Sequence, residues 1–284
     1  MYHSLIDLHI HSSVSDGSLS PAEIVKYASK IGLAAISITD HDTIDGIGEA
    51  MREAEQYKME IVPGVEISAQ YKNAVPHLLG YYIDIENHEL NEALKWTIEA
   101  RDERNPQIIK RLNEIGIDIN MDEVLQIAGG GVVGRPHIAG ALVRSGAVKN
   151  HDEAFDLYLG ARGSAYIPKA RMPMAKAISI IRDSKGIPVL AHPMTLTRNN
   201  LDLDDLLREW ITMGLEGIEV WYSEHTEDET ELYIKLAEKY DLVKTGGSDF
   251  HGVAKTGIDM GSGKGNLEIS IEVLNALKER LHSI

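Results

Sequence analysis

Two histidines one residue apart, in Asp7-Leu8-His9-Ile10-His11, end a short apolar run. In extended backbone, residues i and i+2 point to the same side, so both imidazoles can converge on one ion. Alone, His-x-His is a weak signal, because two surface histidines look the same in a sequence. Its company strengthens it. Asp40-His41-Asp42 follows the run ending at Thr39, Glu66 follows Ile61 to Val65, and His77 lies within Val75 to Tyr82. His192-Pro193 follows Pro188 to Ala191, and Ser248-Asp249-Phe250-His251 follows Val243 to Thr245. With Asp16 the candidate ligands are His9, His11, Asp16, His41, Glu66, His77, His192, Asp249 and His251. Neutral imidazoles and carboxylates suit Mn, Fe(II) or Zn. So many ligands exceed what one ion needs while a position stays open for substrate, so two or three divalent ions are expected. Such a cluster clamps a phosphoryl oxygen, acidifies a water and stabilises the leaving alkoxide. Phosphate ester hydrolysis is the chemistry this set implies, and it requires no serine, cysteine or histidine nucleophile.

These residues need elements to hold them. Strand-like runs fall at Leu5 to Leu8, Ala34 to Thr39, Glu60 to Ile67 and Val75 to Tyr82, and later at Ile187 to Ala191, Gly217 to Trp221 and Leu242 to Thr245. Helical patterns alternate with them. Ser20-Pro21-Ala22-Glu23 reads as a helix start, with Ser as N-cap, Pro at the first position and Glu closing a capping box. Gly46 to Tyr57 is helical, and a last helix runs from about Ser270. Repeated strand–helix units predict parallel strands with right-handed crossovers, enough to close a barrel whose C-terminal strand ends share one face. Between Glu89 and Leu159 the pattern is helical only, broken at Gly129-Gly130-Gly131. The expected organisation is a barrel from residues 1–88 and 165–284 with a helical insertion, 89–164, over its mouth.

The 284 residues, 43% of them hydrophobic, are ample for one such core. The formal net charge of −16 argues against a broad basic surface for long DNA, but not against a short anion held by metal ions. The absence of cysteine excludes disulfides and thiolate metal sites. No run has the length of a membrane span, and no signal peptide precedes the first strand, so a cytoplasmic protein is expected.

The segments Asp7 to His11 with Asp16-Gly17, Thr39 to Asp42, Pro63-Gly64-Val65-Glu66, His77, Ala191-His192-Pro193 and Gly247 to Gly252 together resemble the PHP (polymerase and histidinol phosphatase) superfamily. The resemblance spans nearly the whole chain. It implies an α/β fold, a distorted (β/α)7 TIM-like barrel, with a trinuclear metal centre. It also implies a partition. His9, His11, Glu66 and Asp249 hold one ion; Glu66 bridges to a second, held also by His77 and His192; Asp16, His41 and His251 hold the third. Gly134-Arg135-Pro136-His137-Ile138-Ala139, Ala154-Phe155 with Tyr158-Leu159, and Ala165-Tyr166-Ile167-Pro168 are similar to a stand-alone branch of nucleoside 3′,5′-bisphosphate phosphatases and a 5′-to-3′ exoribonuclease of short RNAs.

The expected substrate is therefore a small phosphorylated nucleotide, such as a 3′,5′-bisphosphate, with a 5′-monophosphate such as AMP as product. Arg135 follows a glycine-rich loop at a helix entrance and suits a non-scissile phosphate. Arg104, Asn105, His137 and Lys169 are further candidate contacts; His137 serves equally well as a helix-start residue. Asp16, His192 and His251 are candidates for a catalytic part, the histidines as donors to the leaving group where ligation leaves them free. Rival readings are a 5′-to-3′ exonuclease of short oligonucleotides, a histidinol-phosphate phosphatase and a non-catalytic metal-binding module. Trp96, Trp210 and Trp221 are expected to pack. His3, His88, His151, His225 and His282 are expected at the surface, and Gly261 to Gly265 is expected to be a loop.

Overall fold

The computed structural model describes residues 4–283; His3 lies outside them. Among the described residues nine strands form: β1 (Ile6–Ile10), β2 (Ala35–Ile38), β3 (Glu60–Ile61), β4 (Gly64–Gln70), β5 (His77–Tyr81), β6 (Met172–Pro173), β7 (Ile187–Leu190), β8 (Gly217–Tyr222) and β9 (Val243–Gly247). They make two sheets, β1-β2-β3 and β6-β4-β5-β7-β8-β9. Single bridges join the sheets on both sides, Ile10 to Phe250 beyond β9 and His41 to Glu66 between β2 and β4. The ring therefore runs β1-β2-β4-β5-β7-β8-β9 and back to β1, a distorted (β/α)7 barrel. At the β1–β9 seam the chains approach so closely that a Cβ on Gly247 would lie 2.4 Å from the His9 nitrogen. Only glycine fits there.

Two expectations are corrected. The strand expected over Glu60 to Ile67 is split into β3 and β4 at Val62-Pro63, where proline cannot donate to a ladder. The strands are also not all parallel. β5 runs antiparallel to both β4 and β7. His77 is the first residue of β5, so the reversal brings its strand start to the rim where the other strands end.

The barrel helices are α1 (Pro21–Ile31), α2 (Ile47–Ala54), α7 (Met174–Asp183), α8 (Met194–Thr197), α9 (Leu203–Thr212), α10 (Glu227–Lys239) and α11 (Ile271–Ser283). The expected capping box forms at α1, with Ser20 accepting from the Glu23 N–H and Glu23 from that of Ser20. Between β5 and β6 lie α3 (His88–Glu114), α4 (Met121–Ala128), α5 (Arg135–Arg144), α6 (His151–Ala154) and a π-helical turn over Phe155–Leu159. These helices bury an apolar cluster of their own, around Ile108, Leu112, Ile138, Leu142 and Leu159.

Trp210 is fully buried, edge-on to Tyr71, but Trp96 faces solvent, against expectation. His225 is likewise not at the surface. Its ring lies between Tyr222 and Tyr233, and its Nδ1 bonds the Val220 carbonyl. Among the described residues no helix is long and apolar enough to cross a membrane.

Candidate metal centre and anion cavity

The barrel rim gathers all nine sequence-derived candidates. Glu66, nearly fully buried in β4, stands at the middle. Its Oε2 lies 3.1 Å from His11 Nε2, 3.1 Å from His41 Nδ1 and 3.4 Å from His9 Nε2. Its Oε1 lies 2.8 Å from His77 Nδ1 and 2.9 Å from His192 Nε2. Asp249 Oδ1 is 3.1 Å from His11 Nε2 and 3.4 Å from His9 Nε2. Asp16 Oδ1 is 3.4 Å from His251 Nε2, and Asp16 Oδ2 is 3.9 Å from His41 Nε2. In three groups, His11-Asp16-His41-His251, His9-His11-Glu66 and His41-Glu66-His77, the ligand atoms all lie within 4.8 Å of one another.

Local structure explains the convergence. His9 lies in β1 and His11 just beyond it, on the same side of the strand. Both seams of the barrel fall at the site: the His11 N–H bonds the Phe250 carbonyl, the Asp249 N–H that of His9, and the Glu66 N–H that of Asp40. Asp40 accepts from the Ser12 N–H, the Ser12 hydroxyl and the Ser15 hydroxyl, holding the loop that carries Asp16. Asp7 accepts from the Ser248, His9 and Gly261 N–H groups, tying β1 to the segment bearing Asp249. The Gly261 to Gly265 loop thus supports Asp7 through its first amide.

The donor set fits divalent cations. Glu219 Oε1 accepts from His9 Nδ1 at 2.9 Å, which turns the His9 Nε2 lone pair toward His11 Nε2, 3.2 Å away. Two imidazole nitrogens that close need a cation or a proton between them. Among the described residues His11 Nδ1 and His192 Nδ1 are buried without hydrogen-bond partners. Burial would raise the Glu66 carboxyl, but the imidazoles of His41, His77 and His9 outweigh it and hold it well below the usual carboxylate range. Asp16 and Asp249 are held low in the same way, by His41 and His251 and by Lys255 and His251. In return His11 is pushed up to about 10 against its burial, by Asp249 and Glu66. The cluster is a set of ionised carboxylates that calls for positive charge.

A cavity of about 190 Å³ opens directly on this cluster, with Asp16, His41 and His77 in one wall. Arg101, Arg104, Arg135, Lys169 and Arg171 line the other. Arg101 and Lys169 pair with Asp42. Among the described residues Arg104, Arg135 and Arg171 have no carboxylate partner. Arg104 donates to Asn105 Oδ1, and Asn105 in turn donates to the Val133 carbonyl. Arg135, the first residue of α5, donates to the Leu159 carbonyl and lies over the Phe155 and Tyr166 rings. Among the described residues Arg171 Nε has no hydrogen-bond partner. Burial and the neighbouring Arg101, Arg135 and Arg171 push Arg104 down to about 9. In a chain of net charge −16, this concentration of uncompensated guanidinium is a local excess of positive charge, of the planar, forked kind that matches phosphate oxygens. Asn105 and His137 do not line the cavity. Asn105 orients Arg104, and His137 Nδ1 accepts the Gly134 N–H at the start of α5.

Residues 7–162 match the PHP domain family. A 5′-3′ exoribonuclease of Haemophilus influenzae is 34% identical over 86% of this chain and 89% of its own length. The chain belongs to the PHP domain family. A 3′,5′-nucleoside bisphosphate phosphatase of Chromobacterium violaceum is 32% identical over 90% of both chains. A solved structure from Bifidobacterium adolescentis, described as a metal-dependent phosphoesterase, superposes with a TM-score of 0.89 at 31% identity over 98% of this chain and 96% of that one. This PHP protein is a metal-dependent phosphoesterase, a hydrolase of phosphoric esters.

Sequence reasoning missed Glu219, whose signal is a lone carboxylate in the apolar run Ile218-Glu219-Val220. It is fully buried, and its Oε2 accepts the His192 N–H at 2.7 Å. Tyr222 and Lys255, which both donate to Asp249 Oδ2, were missed too, as was Arg171. Nothing in their local sequence marks them.

Proposed function

We propose that this PHP hydrolase removes one phosphate from a small nucleotide that carries two, a nucleoside 3′,5′-bisphosphate, releasing the 5′-monophosphate. The observation that carries this reading is the cavity shared by the ligand cluster and three guanidinium groups without carboxylate partners. A second phosphate lodged there would hold the scissile one against the ions. His9, His11, Glu66 and Asp249 would hold the first ion, Glu66, His77 and His192 the second, and Asp16, His41 and His251 the third. Mn²⁺ fits this oxygen and imidazole set, and Fe²⁺ or Zn²⁺ is accepted by the same ligands. Bound ions supply Lewis-acid charge to the phosphoryl oxygens and to the attacking water.

The chain's own residues do the rest. The helical insertion 89–164 supplies Arg101, Arg104 and Arg135, which fix the non-scissile phosphate, while Lys169 and Arg171 on the return to the barrel complete the wall. Asp16 stands between this cavity and a larger groove of about 640 Å³, and it orients His251. His251 lines the groove, with Nδ1 at the Asp249 carbonyl and Nε2 toward Asp16, so both ring nitrogens are committed and it would serve as a ligand of the third ion. His192 faces Glu66 through Nε2 and would serve as a ligand.

The groove favours a second reading. Lys149 lines it, as do Lys255 and Lys264, which share Glu224, and its greater size leaves room for a 3′-extended chain, as a 5′-to-3′ exonuclease of short oligonucleotides requires. Histidinol phosphate, whose amine is a cation, is a poor match for a cationic wall.

An assay with Mn²⁺ should compare a nucleoside 3′,5′-bisphosphate, a 5′-phosphorylated oligonucleotide, histidinol phosphate and an aryl phosphate. The bisphosphate should give the highest kcat/KM. Faster release of mononucleotides from the oligonucleotide would favour the second reading, and turnover of the aryl phosphate alone would sink both. Metal analysis finding fewer than two ions per replete chain would sink the multinuclear assignment.

A further inference from the structure

Asp42 follows the candidate ligand His41, yet no ligand group includes it. It is fully buried and sits in the left-handed region, with φ 58°. Its Oδ1 faces the Ser68 N–H at 3.3 Å. Its Oδ2 accepts from Lys169 Nζ at 2.9 Å, from Arg101 Nε at 3.2 Å and from Arg101 Nη2. Arg101 stands midway along α3, the first helix after β5, and Lys169 on the segment by which the chain returns to β6. One carboxylate oxygen therefore ties the first helix of the helical unit to the segment that leads out of it.

We propose that Asp42 is a positioning residue for anion binding: by holding Arg101 and Lys169 at one oxygen, it builds the two-cation wall of the cavity beside the metal cluster. Two buried cations would otherwise repel each other, and the flexible Lys169 stem would have no fixed head position. A buried ion pair of this kind is weak evidence of stabilisation, because desolvation offsets its attraction. What it secures is geometry. With Asp42 and the Asp16 carboxylate of the opposite wall both counted, five cations still outnumber two carboxylates, so the cavity stays positive toward a phosphate. The substrate named in the test rests on the two-phosphate reading above; the grip itself does not.

The test is Asp42→Asn. Asparagine adopts the left-handed conformation readily, and its amide oxygen can still accept from Ser68, so mainly the charge is lost. With the holoenzyme, KM for the nucleoside 3′,5′-bisphosphate should rise about tenfold to a hundredfold, the worth of one charge-assisted contact, with kcat within about threefold. Aryl phosphate kinetics and metal content should not change. Sulfate binding to the metal-free protein, read by calorimetry, should weaken by at least about tenfold whether or not the bisphosphate is the substrate. A wild-type enzyme inactive on the bisphosphate, with this sulfate difference intact, would refute the substrate and keep the role of Asp42. In a Lys169→Met background the Asp42→Asn effect should shrink, because the two act through one contact. Equal effects in both backgrounds would overturn the proposal, as would metal loss or a matched fall in kcat on the aryl phosphate.

Discussion

Glu219→Gln is the sharpest probe of how the metal centre is held. Glu219 is fully buried, and its two oxygens each accept one N–H, from His9 Nδ1 at 2.9 Å and from the His192 backbone at 2.7 Å. Glutamine has the same shape but one acceptor oxygen, so its NH₂ must face one of these donors. A buried donor left unmatched costs about 1–3 kcal/mol. At roughly 2–4 °C per kcal/mol for a domain approaching this size, Tm should fall by several degrees without loss of the fold. The larger effect is on metal. Glu219 fixes the His9 tautomer that aims Nε2 into the cluster, and losing such an outer partner weakens metal binding or activity about 10–100-fold, or ~1.4–2.7 kcal/mol. Titration with Mn²⁺, followed by activity and by calorimetry, should show a right-shifted curve whose plateau is largely recovered at excess metal. An unchanged metal affinity, with only Tm lowered, would refute the role assigned to Glu219 and leave it a packing residue.

Arg135→Ala removes a guanidinium that bonds a backbone carbonyl and lies over two rings but meets no carboxylate. KM for a bisphosphate should rise about 10–100-fold while aryl phosphate kinetics stay near wild type; equal effects on both would remove its proposed contact. Metal binding should release protons. His11, pushed up to about 10 against its burial by Asp249 and Glu66, should carry a proton at pH 7 without metal and would have to lose it to ligate. Its folded-state value lies above its ordinary one, so protons are favoured at low pH and metal at high pH. Affinity should strengthen by about tenfold per pH unit for each proton displaced. Calorimetry in two buffers of different ionisation heat counts these protons, and a count of zero would contradict the electrostatics of the cluster.

That these nine side chains would gather was readable because most belong to short motifs at or near strand ends, where spacing of one or two residues already decides which way side chains face. The α1 cap, Ser20 with Glu23, was readable for the same reason. The direction of β5 was not. His77 reaches the rim at the start of a reversed strand, and an apolar run reads the same in either direction. His225 looked like a surface histidine because the rings that enclose it gain their places only when β8 and α10 pack. The split of Glu66 between two groups of histidines also depends on strands far apart in the chain.

By itself, then, the sequence determined the chemistry on offer: which imidazoles and carboxylates stand at strand ends, and that arginines accompany them in a helical stretch. Tertiary structure alone decided which of these groups share a charge. Glu219 meets His9 across 210 residues, and Asp42 meets Arg101 and Lys169 across 59 and 127. Electrostatic partnership depends on distance and burial in space. A chain that alternates strand and helix carries that information only once the barrel has closed and brought its distant segments together.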